Sequence, residues 1–350
     1  MFLLGFVLLG AVAIDQHVIL NNGPPRYGID FQVFERASSD PVNMVYRNHV
    51  APFAYPPTAL IFMKPLTAMG YWFWIAISAL AFAVSTIMIS GRKIAALSFL
   101  STPAVKGLIQ GQSPMLLGAI LFFGLRLTPL LGGGLWGVAA SVKPQLMLFA
   151  PLALLVRRSW LMLAGMALGG ALMVLASLTF LDPSLWLRWV EGMGNFNGMI
   201  GSGAMPKVVS PAGVAAAAGL PMLPFIVSGL ALGTAAVTIA ARKADDAQLI
   251  ALVTAASLVA SPYAHSYDTI ALIPACVALL LRGRWIFAVP SGIIFMGLSS
   301  MTMVAMVFIL VAVSIETRFN VTVDLPGALW SRKRKANAGD LASTDSPESR

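Results

Sequence analysis

The chain has 350 residues, of which 58% are hydrophobic and only 11% charged, with a single cysteine and a formal net charge of +9. Soluble domains carry about 25% charged residues, so this composition excludes a soluble globular enzyme and indicates an integral membrane protein. The basic residues stand singly or in pairs between apolar runs, which is a topological pattern and not a nucleic-acid surface.

The run Phe2 to Ile14 is apolar and is followed at once by Asp15, Gln16 and His17. It is shorter than the ~20 residues of a standard span and lacks the basic region of a signal peptide. It reads as a first transmembrane helix, its shortness explicable by a true start upstream of Met1. A polar loop at 15–70 then lies outside the cytoplasm. It contains Arg26, Gly28-Ile29-Asp30-Phe31, Tyr46 and the Phe53-Ala54-Tyr55-Pro56-Pro57 turn. The apolar piece Thr58 to Leu66, interrupted by Lys64-Pro65, is expected to be interfacial or re-entrant.

Tyr71 to Ile89 is a full uncharged span closed by Arg92-Lys93. Ile94 to Ile109 returns to a polar break at Gln110-Gly111-Gln112, and Ser113 to Leu125 comes back to Arg126. Pro129 to Val142 crosses to Lys143-Pro144, and Gln145 to Val156 ends on Arg157-Arg158. Trp160 to Leu181 is long and rich in glycine and alanine, which suits close helix contacts. A second polar loop at 182–215 carries Trp186, Arg188, Trp189 and Glu191, suited to an interfacial helix. The run Gly192 to Gly203 lacks a Gly-x-Gly-x-x-Gly register and a preceding strand, so it is expected to be a flexible loop and not a dinucleotide site.

Pro221 to Ala241 leads to Arg242-Lys243, and Ala247 to Ala260 leads to Ser261-Pro262-Tyr263-Ala264-His265-Ser266-Tyr267-Asp268. Thr269 to Leu281 ends on Arg282, and Trp285 to Ile315 is expected to fold as a hairpin. Residues 1–330 read as one membrane-embedded domain, and 331–350 as a disordered cytoplasmic tail. With the amino terminus inside, 15 of the 23 lysines and arginines fall on the cytoplasmic side, in line with the positive-inside rule, while Lys143 and seven others do not. About 10–12 transmembrane or re-entrant helices result, several of them too short for straight spans. The breaks at Gln112, Lys143 and His265 then share the extracytoplasmic side with Asp30.

Asp30 is the leading candidate for chemistry, either as a general base or as a helix N-cap preceding Phe31 to Ala37. Lys143 interrupts an apolar run, where a charge calls for a partner; a phosphate would serve, and so would snorkelling to the interface. His265 either binds phosphate or is a loop histidine bonded to Ser266 or Asp268. Gln112, Tyr55 and Arg26 complete the set of candidate substrate-binding residues. The histidines His17, His49 and His265 have no ligand spacing, so no metal is expected. Cys276 suits core packing or a lipid-facing position.

Taken together and in order, Gly28-Ile29-Asp30-Phe31, Tyr46, Phe53-x-Tyr55-Pro56-Pro57, Gly111-Gln112, Val142-Lys143-Pro144 and Ser261-Pro262-x-x-His265-x-x-Asp268 resemble glycosyltransferase family 87. The resemblance covers roughly residues 26–285, with Ser113-Pro114 where similar proteins often have an asparagine nearby. It implies an all-α, multi-pass GT-C fold in a bacterial inner membrane and a polyprenyl-phosphate sugar donor, mannose foremost. It further implies a lipid or glycan acceptor and metal-independent inverting transfer on the periplasmic face, with Asp30 as the base. No cofactor is then needed, since the lipid-linked sugar is a substrate. The competing class is a transporter or flippase of a lipid-linked sugar or small solute, which also needs broken helices. Such proteins usually show two repeated halves, and no repeat is evident here.

Overall fold

In a bilayer the backbone must be satisfied within helices or around a closed barrel, and uninterrupted apolar runs such as Tyr71 to Ile89 suit helices, since barrel strands alternate apolar and polar residues. The computed structural model describes residues 28–41, 55–201, 208–281 and 285–319. Every regular element among them is helical, apart from one antiparallel bridge between Val208 and His265. The first apolar run, Arg26, Tyr46, Phe53, His17, His49, Arg282 and the tail lie outside the described residues.

Among the described residues four helices are long and apolar enough to cross a membrane: α3 (Tyr71–Ser90), α9 (Trp160–Phe180), α12 (Leu223–Ala240) and, in α16 (Ser299–Phe319), the stretch Met301–Phe319. The pair α5 (Thr102–Gln110) and α6 (Pro114–Gly124) passes the same test together but is bent by 116° at the Gly111-Gln112 break. Shorter apolar helices include α7 (Pro129–Val142) and α13 (Asp246–Ala260). Large apolar side chains such as Trp72, Leu80, Leu172, Leu175 and Phe180 are exposed on the long helices. In water that surface would be a liability; in lipid it is the solvated face. This is an all-α, multi-pass membrane protein.

α13 is apolar on every side and accordingly buried along its length, forming the centre of the bundle. A capping box between Asp245 and Gln248 starts it, and Ser261-Pro262 ends it. Elsewhere in the bundle the α7–α9 seam is tightly packed. A Cβ at Gly133 would lie 2.0 Å from the Met162 carbonyl oxygen, at Gly137 2.2 Å from that of Met166, at Gly165 2.1 Å from that of Leu130, and at Gly169 2.2 Å from that of Gly134. Two small-xxx-small pairs thus let the backbones touch, as packing between helices in lipid favours.

The two ends of the bundle differ in chemistry. At one end cations meet helix C-terminal carbonyls. Arg157 donates to Ala241 O and Ala244 O, Lys243 to Arg318 O, and Arg126 to Met88 O, while Arg126 also pairs with Asp246 at 3.2 Å. At the other end α1 (Ile29–Ser39) and α2 (Thr58–Thr67) pack on each other, α1 also against α5 and α2 against α3, α7 and α9.

Several expectations need correction. Ile94 to Ile109 is not one crossing but two short helices, α4 (Arg92–Ser98) and α5, because Ser101 caps a new start ahead of Pro103. Gln145 to Val156 divides likewise into a 3-10 turn at Pro144–Leu146 and α8 (Ala150–Val156). The glycine-rich run is not a loop as far as Gly201: α10 (Ser184–Gly201) carries helix through it, since glycine weakens a helix by only about 1 kcal/mol per residue and does not forbid one. The Trp285 to Ile315 stretch does turn back, at Gly297 with φ +63, between α15 (Trp285–Met296) and α16.

Candidate active site

Asp30 is not an N-cap. The cap is Gly28, in left-handed geometry at φ +66, with no side-chain capping bond, and Asp30 lies within the first turn of α1. Gly28 N–H donates to Ile109 O at 2.8 Å, and Tyr71 Oη donates to the same carbonyl at 2.8 Å. A Cβ on Gly28 would meet the Tyr71 ring at 2.9 Å. The opposite wall is Gly111 at φ +72, where a Cβ would lie 2.7 Å from Phe31 Cβ. Two left-handed glycines thus clamp the start of α1 against the break between α5 and α6, while Phe31 and Phe34 anchor it on Trp74.

This clamp sets Asp30 near Gln112, whose side-chain amide favours the ionised carboxylate. Tyr55 Oη donates to Gln112 Oε1 at a long 3.5 Å, which leaves the Gln112 amide N–H to face Asp30. Burial raises the Asp30 carboxyl to about 6 from its ordinary 3.8, with the Gln112 amide and the Lys143 charge pulling the other way. A carboxyl poised there accepts a proton readily near neutral pH.

Lys143 ends α7 ahead of Pro144, and its side chain is buried. It neither snorkels nor depends on a phosphate for a partner: its ammonium is bonded to the fully buried Asp268. The Tyr55 and Tyr267 rings flank it, with centroids 5.4 and 5.3 Å from Nζ. Asp268 belongs to a 3-10 turn, Ser266–Leu272, and its second oxygen accepts the backbone N–H of His265 at 3.0 Å. The His265 imidazole stacks on the Tyr267 ring at 5.1 Å. Gln145 Nε2 donates to Tyr263 Oη at 2.9 Å, tying the turn after α7 to the same loop.

The structure therefore brings Asp30, Gln112, Tyr55, Lys143 and His265 to one end of the bundle; Arg26 lies outside the described residues. It is a half-buried carboxylate beside an enclosed cation with an aromatic lining, an arrangement able to move a proton next to an anionic group.

Residues 53–262 match glycosyltransferase family 87, which is more than half of the chain. The chain belongs to that family. No curated protein and no solved structure matches it. The family 87 match contains Tyr55, Gln112 and Lys143, whereas Asp30, His265 and Asp268 flank it and join the site through the contacts above. A family 87 member is a membrane glycosyltransferase, with a sugar donor and an acceptor as substrates.

Asp268 was missed as a site residue by sequence reasoning, as were Tyr263 and Tyr267. For Asp268 the signal was partial: a buried lysine demands an acid, and Asp268 lies in a polar break, but Asp30 is an equal candidate by sequence. For the tyrosines there was none, because aromatic residues are common at any membrane interface.

Proposed function

We propose that this family 87 glycosyltransferase moves a hexose, foremost mannose, from a polyprenyl-phosphate donor to a lipid or glycan acceptor on the periplasmic side of a bacterial inner membrane. The observation that carries the reading is the position of Asp30, near Gln112 and the Lys143–Asp268 pair, at the end of the bundle away from the arginine-capped helix termini. Positive charge marks the cytoplasmic side, so that end faces outward.

In this mechanism Asp30 removes the proton from the acceptor hydroxyl as its oxygen attacks the anomeric carbon. The bond from that carbon to the phosphate oxygen breaks, and the electron pair leaves with the polyprenyl phosphate. Phosphate is a good leaving group, so one carboxylate suffices and the anomeric configuration inverts. The donor is a substrate, and no cofactor enters. Lys143 and His265 meet the phosphate charge, while Gln112 and Tyr55, in contact with each other beside Asp30, face the sugar.

The test is transfer of labelled mannose from polyprenyl-phosphate mannose in membranes holding wild-type protein or Asp30→Asn. Label entering a lipid or glycan with the wild type alone supports donor and base together. Equal transfer by Asp30→Asn removes the base assignment, and no transfer by either protein over a panel of lipid-linked sugars and acceptors removes the donor assignment.

A further inference from the structure

Lys143 and His265 reach the site from distant parts of the sequence; the Tyr267 ring lies against both, and Asp268 is bonded to both. Asp268 receives the Lys143 ammonium on one carboxylate oxygen and the His265 backbone N–H on the other, 3.0 Å away. Its own backbone N–H returns to His265 O at 2.9 Å, closing the turn reciprocally. The next residue upstream, Ala264, accepts Val209 N–H at 2.6 Å, and Val208 pairs with His265, so the loop is clipped from its outer side as well. We propose that Asp268 is a positioning residue for the donor: from one buried point it fixes the Lys143 ammonium and the His265 loop in the relative geometry that receives the donor phosphate.

The inference rests on the donor reading above. Its physical basis is the division of labour around Lys143. An ammonium has three N–H donors, and Asp268 takes one. The Tyr55 and Tyr267 rings confine the head group from the sides. A four-carbon stem that would otherwise sample many rotamers is thereby held in one, so ordering it costs little when an anion arrives. A structural pair has a different signature: a buried ion pair can commonly be exchanged for apolar residues of similar volume without loss of stability, and if fold support were its whole role, function would survive that exchange.

That contrast supplies the experiment. Wild type, Asp268→Asn, Asp268→Glu and the double apolar exchange Lys143→Met with Asp268→Leu are purified in nanodiscs. Each is assayed for thermal unfolding, for binding of polyprenyl phosphate without sugar, and for transfer kinetics with polyprenyl-phosphate mannose. The expected result is a double variant that unfolds near the wild-type temperature yet binds polyprenyl phosphate at least tenfold more weakly. Asp268→Asn should raise the donor KM at least tenfold with kcat changed less than threefold, and Asp268→Glu should recover part of that loss. Wild-type affinity and KM in the double variant overturn the proposal, as does a fall in kcat at unchanged KM in Asp268→Asn. Should the double variant fail to fold, the KM-against-kcat split in the two single variants decides. A wild type that binds polyprenyl phosphate but transfers no sugar from any lipid-linked donor sinks the donor reading, and the inference with it.

Discussion

Gly111 and Phe31 approach so closely that a Cβ on the glycine would lie 2.7 Å from the Cβ of the phenylalanine. The contact connects the break between α5 and α6 to the helix that carries Asp30, one residue before Phe31 in the chain.

Gly111→Ala therefore combines left-handed strain of roughly 1–2 kcal/mol with displacement of α1. The transfer rate should fall about 100-fold, the scale expected when a catalytic group moves by about 1 Å. Gly219→Ala is the control: it is also left-handed, at φ +74, but has nothing within 4 Å of the added Cβ. It should lose only the strain of about 1–2 kcal/mol and keep its transfer rate. Thermal unfolding and kinetics on both variants check this.

The pH profile follows from Asp30. A base must be ionised, so kcat/KM should rise with pH through a limb near 6 and fall about tenfold per unit well below it. Asp30→Asn should lack the limb. Stability has the opposite sign, because the folded carboxyl lies above its ordinary 3.8. The contribution of Asp30 to folding is greatest below about 4 and is lost as pH rises through about 6. Rate and unfolding profiles from pH 4.5 to 8 test both.

The glycine seam can be tested by two residues of the same helix faces. A Cβ at Gly137 would lie 2.2 Å from the Met166 carbonyl oxygen, whereas at Gly170 it would sit 3.8 Å from Gly137 O. Gly137→Ala should destabilise by about 1–3 kcal/mol, since backbone cannot move aside as a side chain does. Gly170→Ala should be neutral or slightly stabilising through helix propensity. Unfolding midpoints in the same detergent separate them.

Topology is open to cysteine labelling, because Cys276 is fully buried and gives little background. Asp182→Cys should react with a membrane-impermeant maleimide from outside intact cells. Lys93→Cys and Arg242→Cys should react only after the cells are opened. The reverse pattern would place the Asp30 pocket on the cytoplasmic face.

Composition together with long uninterrupted apolar runs made the all-helical membrane class legible, because the strands of a membrane barrel would alternate apolar and polar residues. The candidate site was legible as a list, since Gln112, Lys143 and His265 each break an apolar run. Their mutual contacts were not. The Lys143–Asp268 pair joins residues 125 apart, and nothing local in sequence specifies which buried acid a buried lysine will meet. The fate of the glycine run was equally hidden: Gly192 to Gly201 is compatible with a loop and with a helix, and only the context of α10 decides.

The α7–α9 seam also determines where sequence change can accumulate. On α9 the inward positions Met162, Gly165, Met166 and Gly169 face another backbone, while Leu161, Leu168, Leu172 and Leu175 face lipid. Saturation mutagenesis of this helix should give a tolerance profile that oscillates with the helical period. Positions 165 and 169 would accept almost nothing larger than glycine, and their outward neighbours would exchange freely among apolar residues. Drift in this protein is then channelled along one stripe of the helix, and the helix carrying Lys143 keeps its mounting while the surface around it changes.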